Sequence, residues 1–377
     1  MHVRNKQILF DTLPISFIEL INYSKHKNYV EEVKKILKKR YKKEQIIFSP
    51  NARTALYESF KLMDLKKKDE IIIPAYTSKP VLEAVRKICK PRFVDINSNN
   101  AMINIRGLSK TISDRTKAIV VTNTYGKSDN MSEIVRIAKE NGISIIEDLA
   151  QAPWGEYNGK KLGTFGDYSI LSFALCKDLT AITGGALLCN KENLNSKDGI
   201  YSHTEFINKC FWLYASKSVE HFQLNVPSMN TIISALFYKF LDLQRSKPCN
   251  NMKINRKISN YIAYILYIQM KNFDKRIKKR RENAKFYFNN LKPGFIPFDN
   301  NINNHTFFRF TIKVKNRNKL YREGRRRGIN FLMMYDYYLD SLPNSLKASK
   351  QNLNIPVHHK LKKGDLIKIV DFINKSI

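Results

Sequence analysis

The chain has 377 residues, long enough for two or three domains, and its 43% hydrophobic and 11% aromatic content excludes a disordered chain. Lys and Arg number 66 against 33 Asp and Glu, so the formal net charge is +33, a field that draws phosphate-bearing small molecules, anionic membrane or nucleic acid. A bias toward Lys, Asn and Ile across the whole composition accounts for such an excess equally well.

No helix-turn-helix, RNA-binding aromatic motif or zinc finger accompanies the charge, so nucleic acid is not an expected partner. The five cysteines (Cys89, Cys176, Cys189, Cys210 and Cys249) show no C-x-x-C spacing and no dense framework. They fit a reducing compartment and suggest no metal site. The opening MHVRNKQILFDTLPISF lacks the apolar run and small-residue cleavage site of a secretory leader, and no stretch reads as a spanning helix. A cytoplasmic location is expected.

Residues 1–44 read as an N-terminal helical segment, with apolar positions of YVEEVKKILKKRYKKE at helical spacing and a basic face. From residue 45 to about 190, helix-like stretches such as TALYESFKLM and MSEIVRIAKENG alternate with short apolar runs. The runs are EIIIPAY, PRFVDI, AIVVTNT, ISIIEDLA, YSILSFAL and GALLCN. This alternation predicts an α/β domain over 45–250 with a mostly parallel sheet, whose chemistry belongs just after the strands. Residues 205–250 read as an apolar, aromatic helical insertion rimmed by Lys209, Lys217, Lys239, Arg245 and Lys247. Such a face suits either an anionic membrane surface or packing against protein. One long helix, ISNYIAYILYIQMKNFDKRIKKRRENAKFYFNNL, is expected next. A small C-terminal α+β domain completes 251–377.

Asp148 stands at the end of the run IIED, and Ser172 and Lys177 precede the paired glycines Gly184 and Gly185. A lysine near a carboxylate, with hydroxyl and N–H donors for a phosphate, is the equipment of Schiff-base chemistry on a phosphorylated pyridine. Taken singly these residues are common in any α/β protein.

Their order is not. IIEDLAQAPWGEYNGKKLGTFGDYSILSFALCKDLTAITGGALLCN resembles the DegT-type sugar aminotransferases, pyridoxal-phosphate (PLP) enzymes of fold type I. ED-x-AQA, G-x-x-GD and SF-x-x-x-K occur there in this order and spacing. The resemblance extends through NARTALYESF, RFVDI and TKAIVVTNTYG, and downstream through NRKIS and KKRRENAKFY, over about residues 45–377. It implies Lys177 as the Schiff-base lysine and Asp148 as partner of the pyridine nitrogen. Gln151 would lie near the phenolic oxygen, and Ser172 with the Ala52 and Arg53 backbone would bind the phosphate. Asn255 would reach the phosphate of a neighbouring subunit, making the active site the property of a homodimer. His203 follows Ser202 as in the family's Ser-His pair.

Some positions depart from the pattern. Ser78 stands where many relatives place an aromatic that stacks on the cofactor ring, Asn123 replaces a histidine, and Thr183 replaces an acidic residue or glycine. Arg53 replaces a threonine, adding a cation for a phosphate or for solvent. Related sugar dehydratases carry histidine in place of the lysine, so Lys177 favours transamination. The resemblance implies transfer of an amino group from an amino acid, glutamate foremost, to a nucleotide-linked keto-sugar for surface polysaccharide or glycolipid. The alternatives are a lipid-linked carbonyl substrate and a non-catalytic scaffold on anionic membrane.

Overall fold

A computed structural model describes residues 8, 22–174, 177–181, 183–191, 258–295, 302–335, 337 and 339–376. The insertion 205–250, Cys176, His203 and Asn255 lie outside the described residues.

The first helix, α1 (Tyr29–Tyr41), starts at Asn28, whose side chain accepts the Glu31 N–H. Glu31 and Glu32 sit in its first turn and Lys38, Lys39 and Arg40 in its last, the arrangement that complements the helix dipole. It stops at Lys42, which turns left-handed at φ 52°, a little short of the stretch expected from the sequence. Tyr29, Val33, Leu37 and Tyr41 form its buried stripe. That stripe packs in one apolar cluster with α6 (Asn260–Lys271) and one face of the sheet.

The sheet has seven strands: β1 (Gln45–Ser49), β2 (Glu70–Pro74), β3 (Lys90–Val94), β4 (Thr116–Thr122), β5 (Ser144–Asp148), β8 (Tyr168–Ser172) and β9 (Gly185–Cys189). Their spatial order is β1-β9-β8-β5-β4-β2-β3. The five neighbours from β8 to β3 pair in parallel, and β9 runs antiparallel to both β8 and β1. Ile71–Ile73 and Ala118–Val121 are fully buried, as central strands covered on both faces require. β1 has no counterpart among the apolar runs read from the sequence. QIIFS carries only three apolar residues, and its partner β9 lies some 140 positions further along the chain. Between β5 and β8 lies a small hairpin of β6 (Glu156–Tyr157) and β7 (Lys160–Lys161).

Helices α2 (Ala52–Leu62) and α3 (Lys79–Ile88) cover one face of the sheet, and α4 (Ile105–Thr111) and α5 (Met131–Glu140) the other. The long helix expected after residue 258 is two helices, α6 and α7 (Phe273–Asn290), broken at Asn272. Asn272 leaves helical geometry at φ −104° and ψ 7°. Phe273 and Ile277 of α7 belong to the sheet-side cluster, whereas Ala284 and Tyr287 belong to the C-terminal one. That second cluster gathers α8 (Arg317–Arg326), α10 (Lys363–Lys375) and the antiparallel pair β10 (Phe310–Lys313) and β11 (Asn352–Ile355), with α9 (Pro343–Gln351) leading into β11.

Candidate active site

The parallel strands deliver their last residues to one edge. Asp148 ends β5, opposite Thr122 of β4 on one side and Ile170 of β8 on the other. Its side chain is half-buried and accepts the Ala150 N–H at 2.9 Å. Desolvation raises its pKa, opposed by that N–H and by the charge of Lys177. The expected lysine and its acid thus lie within electrostatic reach of one another across the mouths of β5 and β8. The Lys177 ammonium also stands 5.4 Å from the centre of the Phe308 ring.

The Lys177 loop is tied down on both flanks. Ala181 N–H donates to Phe173 O at 2.9 Å. Gln269 of α6 accepts the Thr180 N–H at 3.0 Å and donates to Thr180 O at 2.6 Å. The next residue, Asp178, forms a buried ion pair with Arg280 of α7. Helices far along the chain therefore hold the loop.

Glu147 explains the G-x-x-GD segment. Its carboxylate is fully buried and accepts the N–H groups of Gly163, Phe165 and Gly166 at 2.6, 2.8 and 2.7 Å. Asp167 accepts the Ile145 N–H at 2.9 Å. A Cβ on Gly166 would stand 2.6 Å from Ile145 O, so only glycine fits there. These residues brace β5 and β8 and take no place in the crevice.

At the phosphate end, Gly185 of β9 pairs with Ser172 of β8 and Ser49 of β1. Directly opposed residues project from the same face of a sheet, so both serines flank the glycine on that face. A Cβ on Gly185 would meet Ala52 N at 2.6 Å, which places the first turn of α2 against this row. Asn51 caps α2 by accepting the Thr54 N–H at 2.9 Å, and the Ala52 and Arg53 N–H groups belong to the helix end that favours an anion. Ser49 Oγ is buried with no hydrogen-bond partner among the described residues, a donor open to a ligand. A phosphate fits this cradle. Sequence reading missed Ser49, because its relation to Ser172 exists only through β9. The Arg53 guanidinium pairs with Glu83 of α3, and its side chain is largely covered.

Gln151 accepts the Tyr125 N–H at 2.8 Å and donates to the Tyr335 hydroxyl. Tyr335 also went unnoticed in the sequence, although MMYDYYLD is dense in tyrosine. Ser78 is the residue before α3 and makes no capping bond there. Asn123 accepts the Asp129 N–H at 3.1 Å and braces the loop after β4. Thr183 donates to Pro50 O at 3.3 Å, joining the glycine pair to the start of α2. Among the described residues no group of three or more His, Cys, Asp or Glu side chains is placed to hold a metal ion.

Comparison with known proteins gives a consistent picture. The sequence profile of the DegT/DnrJ/EryC1/StrS aminotransferase family matches residues 20–374. A dTDP-3-amino-3,6-dideoxy-alpha-D-galactopyranose transaminase of Aneurinibacillus thermoaerophilus is 26% identical over 344 residues, covering 86% of this chain and 84% of its own. A UDP-4-amino-4,6-dideoxy-N-acetyl-beta-L-altrosamine transaminase of Campylobacter jejuni is 24% identical over 312 residues, covering 82% and 70%. A Bacillus subtilis protein solved with bound cofactor PMP superposes at a TM-score of 0.71 with 21% identity, covering 98% of this chain and 86% of that one.

Proposed function

The chain belongs to the DegT/DnrJ/EryC1/StrS aminotransferase family, and from that premise we propose that it is a PLP-dependent transaminase acting on a nucleotide-linked keto-sugar. What supports it is the Lys177 charge acting on Asp148 at the end of β5, with Ser49, Ser172 and the start of α2 grouped around Gly185 nearby. Two relatives named as transaminases of dTDP- and UDP-linked sugars support the substrate class. Glutamate is the proposed amino donor, and surface polysaccharide or glycolipid the proposed destination.

Bound PLP supplies the electrophilic carbonyl and the ring that accepts electrons. Lys177 Nζ would hold the cofactor covalently and, when free, would serve as the base that moves a proton at the substrate carbon. Asp148 would face the pyridine nitrogen and keep it protonated, and the low-polarity setting that raises its own pKa would strengthen that pairing. Ser172, Ser49 and the Ala52 and Arg53 N–H groups would bind the phosphate, and Gln151 would face the phenolic oxygen.

Asn255, offered to the phosphate of a neighbouring subunit, makes the homodimer part of the same proposal. The proposed setting is the cytoplasm. No helix among the described residues is long and apolar enough to cross a membrane. Peripheral contact of 205–250 with anionic lipid is tested by vesicle flotation at low salt, with charge reversal at Lys239 and Arg245 as the control.

The decisive experiment is borohydride trapping of PLP on the purified protein, followed by peptide mapping. The label is expected on Lys177 and absent from Lys177→Ala, and wild-type trapping in that variant would refute the assignment. Screening nucleotide-linked keto-sugars with glutamate, and following release of 2-oxoglutarate, then identifies donor and acceptor.

A further inference from the structure

Tyr335 enters the candidate active site from the C-terminal segment, far from the strands that supply the other groups. Its hydroxyl accepts a hydrogen bond from Gln151 Nε2, 184 positions away in sequence. The other end of the same amide is committed, because Gln151 Oε1 accepts the Tyr125 N–H at 2.8 Å. An N–H can only donate, so the oxygen must face Tyr125 and the NH2 group must face Tyr335. One NH2 hydrogen goes to the tyrosine and the second remains to be directed.

The ring is held as firmly as the hydroxyl. It meets the Tyr76 ring edge-on at 5.1 Å and 89°, and the Tyr337 ring lies 6.1 Å away. Tyr76 donates its one hydroxyl proton to Met334 O at 3.1 Å and so accepts from the Tyr125 hydroxyl at 2.6 Å. Tyr337 donates to Thr77 O at 3.0 Å and accepts the Lys79 N–H at 2.8 Å, clasping both neighbours of Ser78. Tyr335 itself adopts φ 49°. A residue with a Cβ takes that conformation when its surroundings impose it, and such positions cluster at functional sites. The Asp148 charge is also felt at the Tyr335 hydroxyl, whose pKa burial and that carboxylate push well up.

We propose that Tyr335 is a positioning residue for the cofactor: its hydroxyl aims the Gln151 amide at the phenolic oxygen, and its ring supplies an aromatic wall where Ser78 supplies none. The inference rests on the reading of this crevice as the PLP site. It makes the C-terminal segment part of the cofactor environment.

A hydrogen bond donated to the phenolic oxygen withdraws charge from it and so eases deprotonation of the neighbouring lysine–cofactor linkage. Tyr335→Phe frees the Gln151 amide to turn away, so the visible absorbance of the lysine-bound cofactor should titrate at a midpoint higher by about half a unit or more. Tyr335→Leu removes the ring as well. Its affinity for pyridoxamine phosphate, measured by equilibrium dialysis, should fall about tenfold below that of Tyr335→Phe, the scale of a lost aromatic contact. A Tyr335→Phe titration that overlays the wild type, or equal dialysis constants for the two variants, would overturn the proposal even if melting temperatures drop. Failure of the cofactor reading is separable. In that case wild-type protein shows no visible band, or Lys177→Ala still traps PLP.

Discussion

Glu147 and Asp148 are adjacent on β5 and serve opposite sides of the sheet. Consecutive strand residues project to opposite faces. Glu147 therefore reaches the N–H groups of Gly163, Phe165 and Gly166, while Asp148 opens into the crevice with Lys177. The same carboxylate chemistry, displaced by one residue, yields a structural brace and, on the proposed reading, a partner for the cofactor.

Exchanging each carboxylate for its amide should separate these roles. On the proposed reading Asp148→Asn removes the charge that would keep the pyridine nitrogen protonated, so single-turnover rates should fall at least about a hundredfold. Glu147→Gln leaves buried N–H groups imperfectly paired, so urea unfolding should report a loss of about 2 kcal/mol. The cofactor's visible band should persist in Glu147→Gln.

Ser49 offers a test of the phosphate cradle that is independent of catalysis. Its hydroxyl is buried with no partner among the described residues, so Ser49→Ala should leave the stability of the cofactor-free protein unchanged or slightly raised. Loss of one hydrogen bond to a charged phosphate costs about 1.5 kcal/mol or more, so PLP affinity should fall roughly tenfold. An unchanged dissociation constant would place the phosphate elsewhere.

The Asp178–Arg280 pair should respond differently to single and double replacement. Both side chains are nearly inaccessible, and a lone buried charge is costly. Asp178→Leu is expected to destabilise by about 3–5 kcal/mol, and adding Arg280→Met should restore most of that. Denaturant unfolding of the single and double variants measures the difference. Whether PLP trapping on Lys177 returns with stability shows how far the loop depends on the pair.

His305 should make the fold acid-sensitive. Its Nδ1 accepts the Phe307 N–H at 2.8 Å, which requires the neutral ring. Burial, with help from Lys127 and Arg281, holds its pKa well below the usual value. Below about pH 6.5 the unfolded chain takes up a proton that the folded chain refuses, so stability falls as pH falls. From pH 7.5 to 5.5 this one group contributes a loss of about 1.4 kcal/mol. His305→Gln keeps an acceptor and does not titrate, so its urea midpoint should decline less over that interval by the corresponding amount.

The local sequence by itself determined the strands β2, β3, β4, β5, β8 and β9, because each is a short apolar run bounded by turn residues. It offered Lys177, Asp148 and Ser172 as a lysine, a carboxylate and a hydroxyl near strand ends, and the resemblance of the ordered motifs implied roles for them and for Gln151. Only the tertiary structure decided which remote residues come together around them. Ser49 reaches Ser172's row through β9, Tyr335 reaches Gln151 across 184 positions, and Arg280 reaches Asp178 from a distant helix. The break at Asn272 likewise escaped the helical periodicity, since asparagine is tolerated within helices and decides nothing alone. The physical reason is common to all of these. Periodicity and motif spacing report interactions between near neighbours, whereas a hydrogen bond or ion pair between remote residues leaves no local pattern and exists only once the sheet and its covering helices have closed.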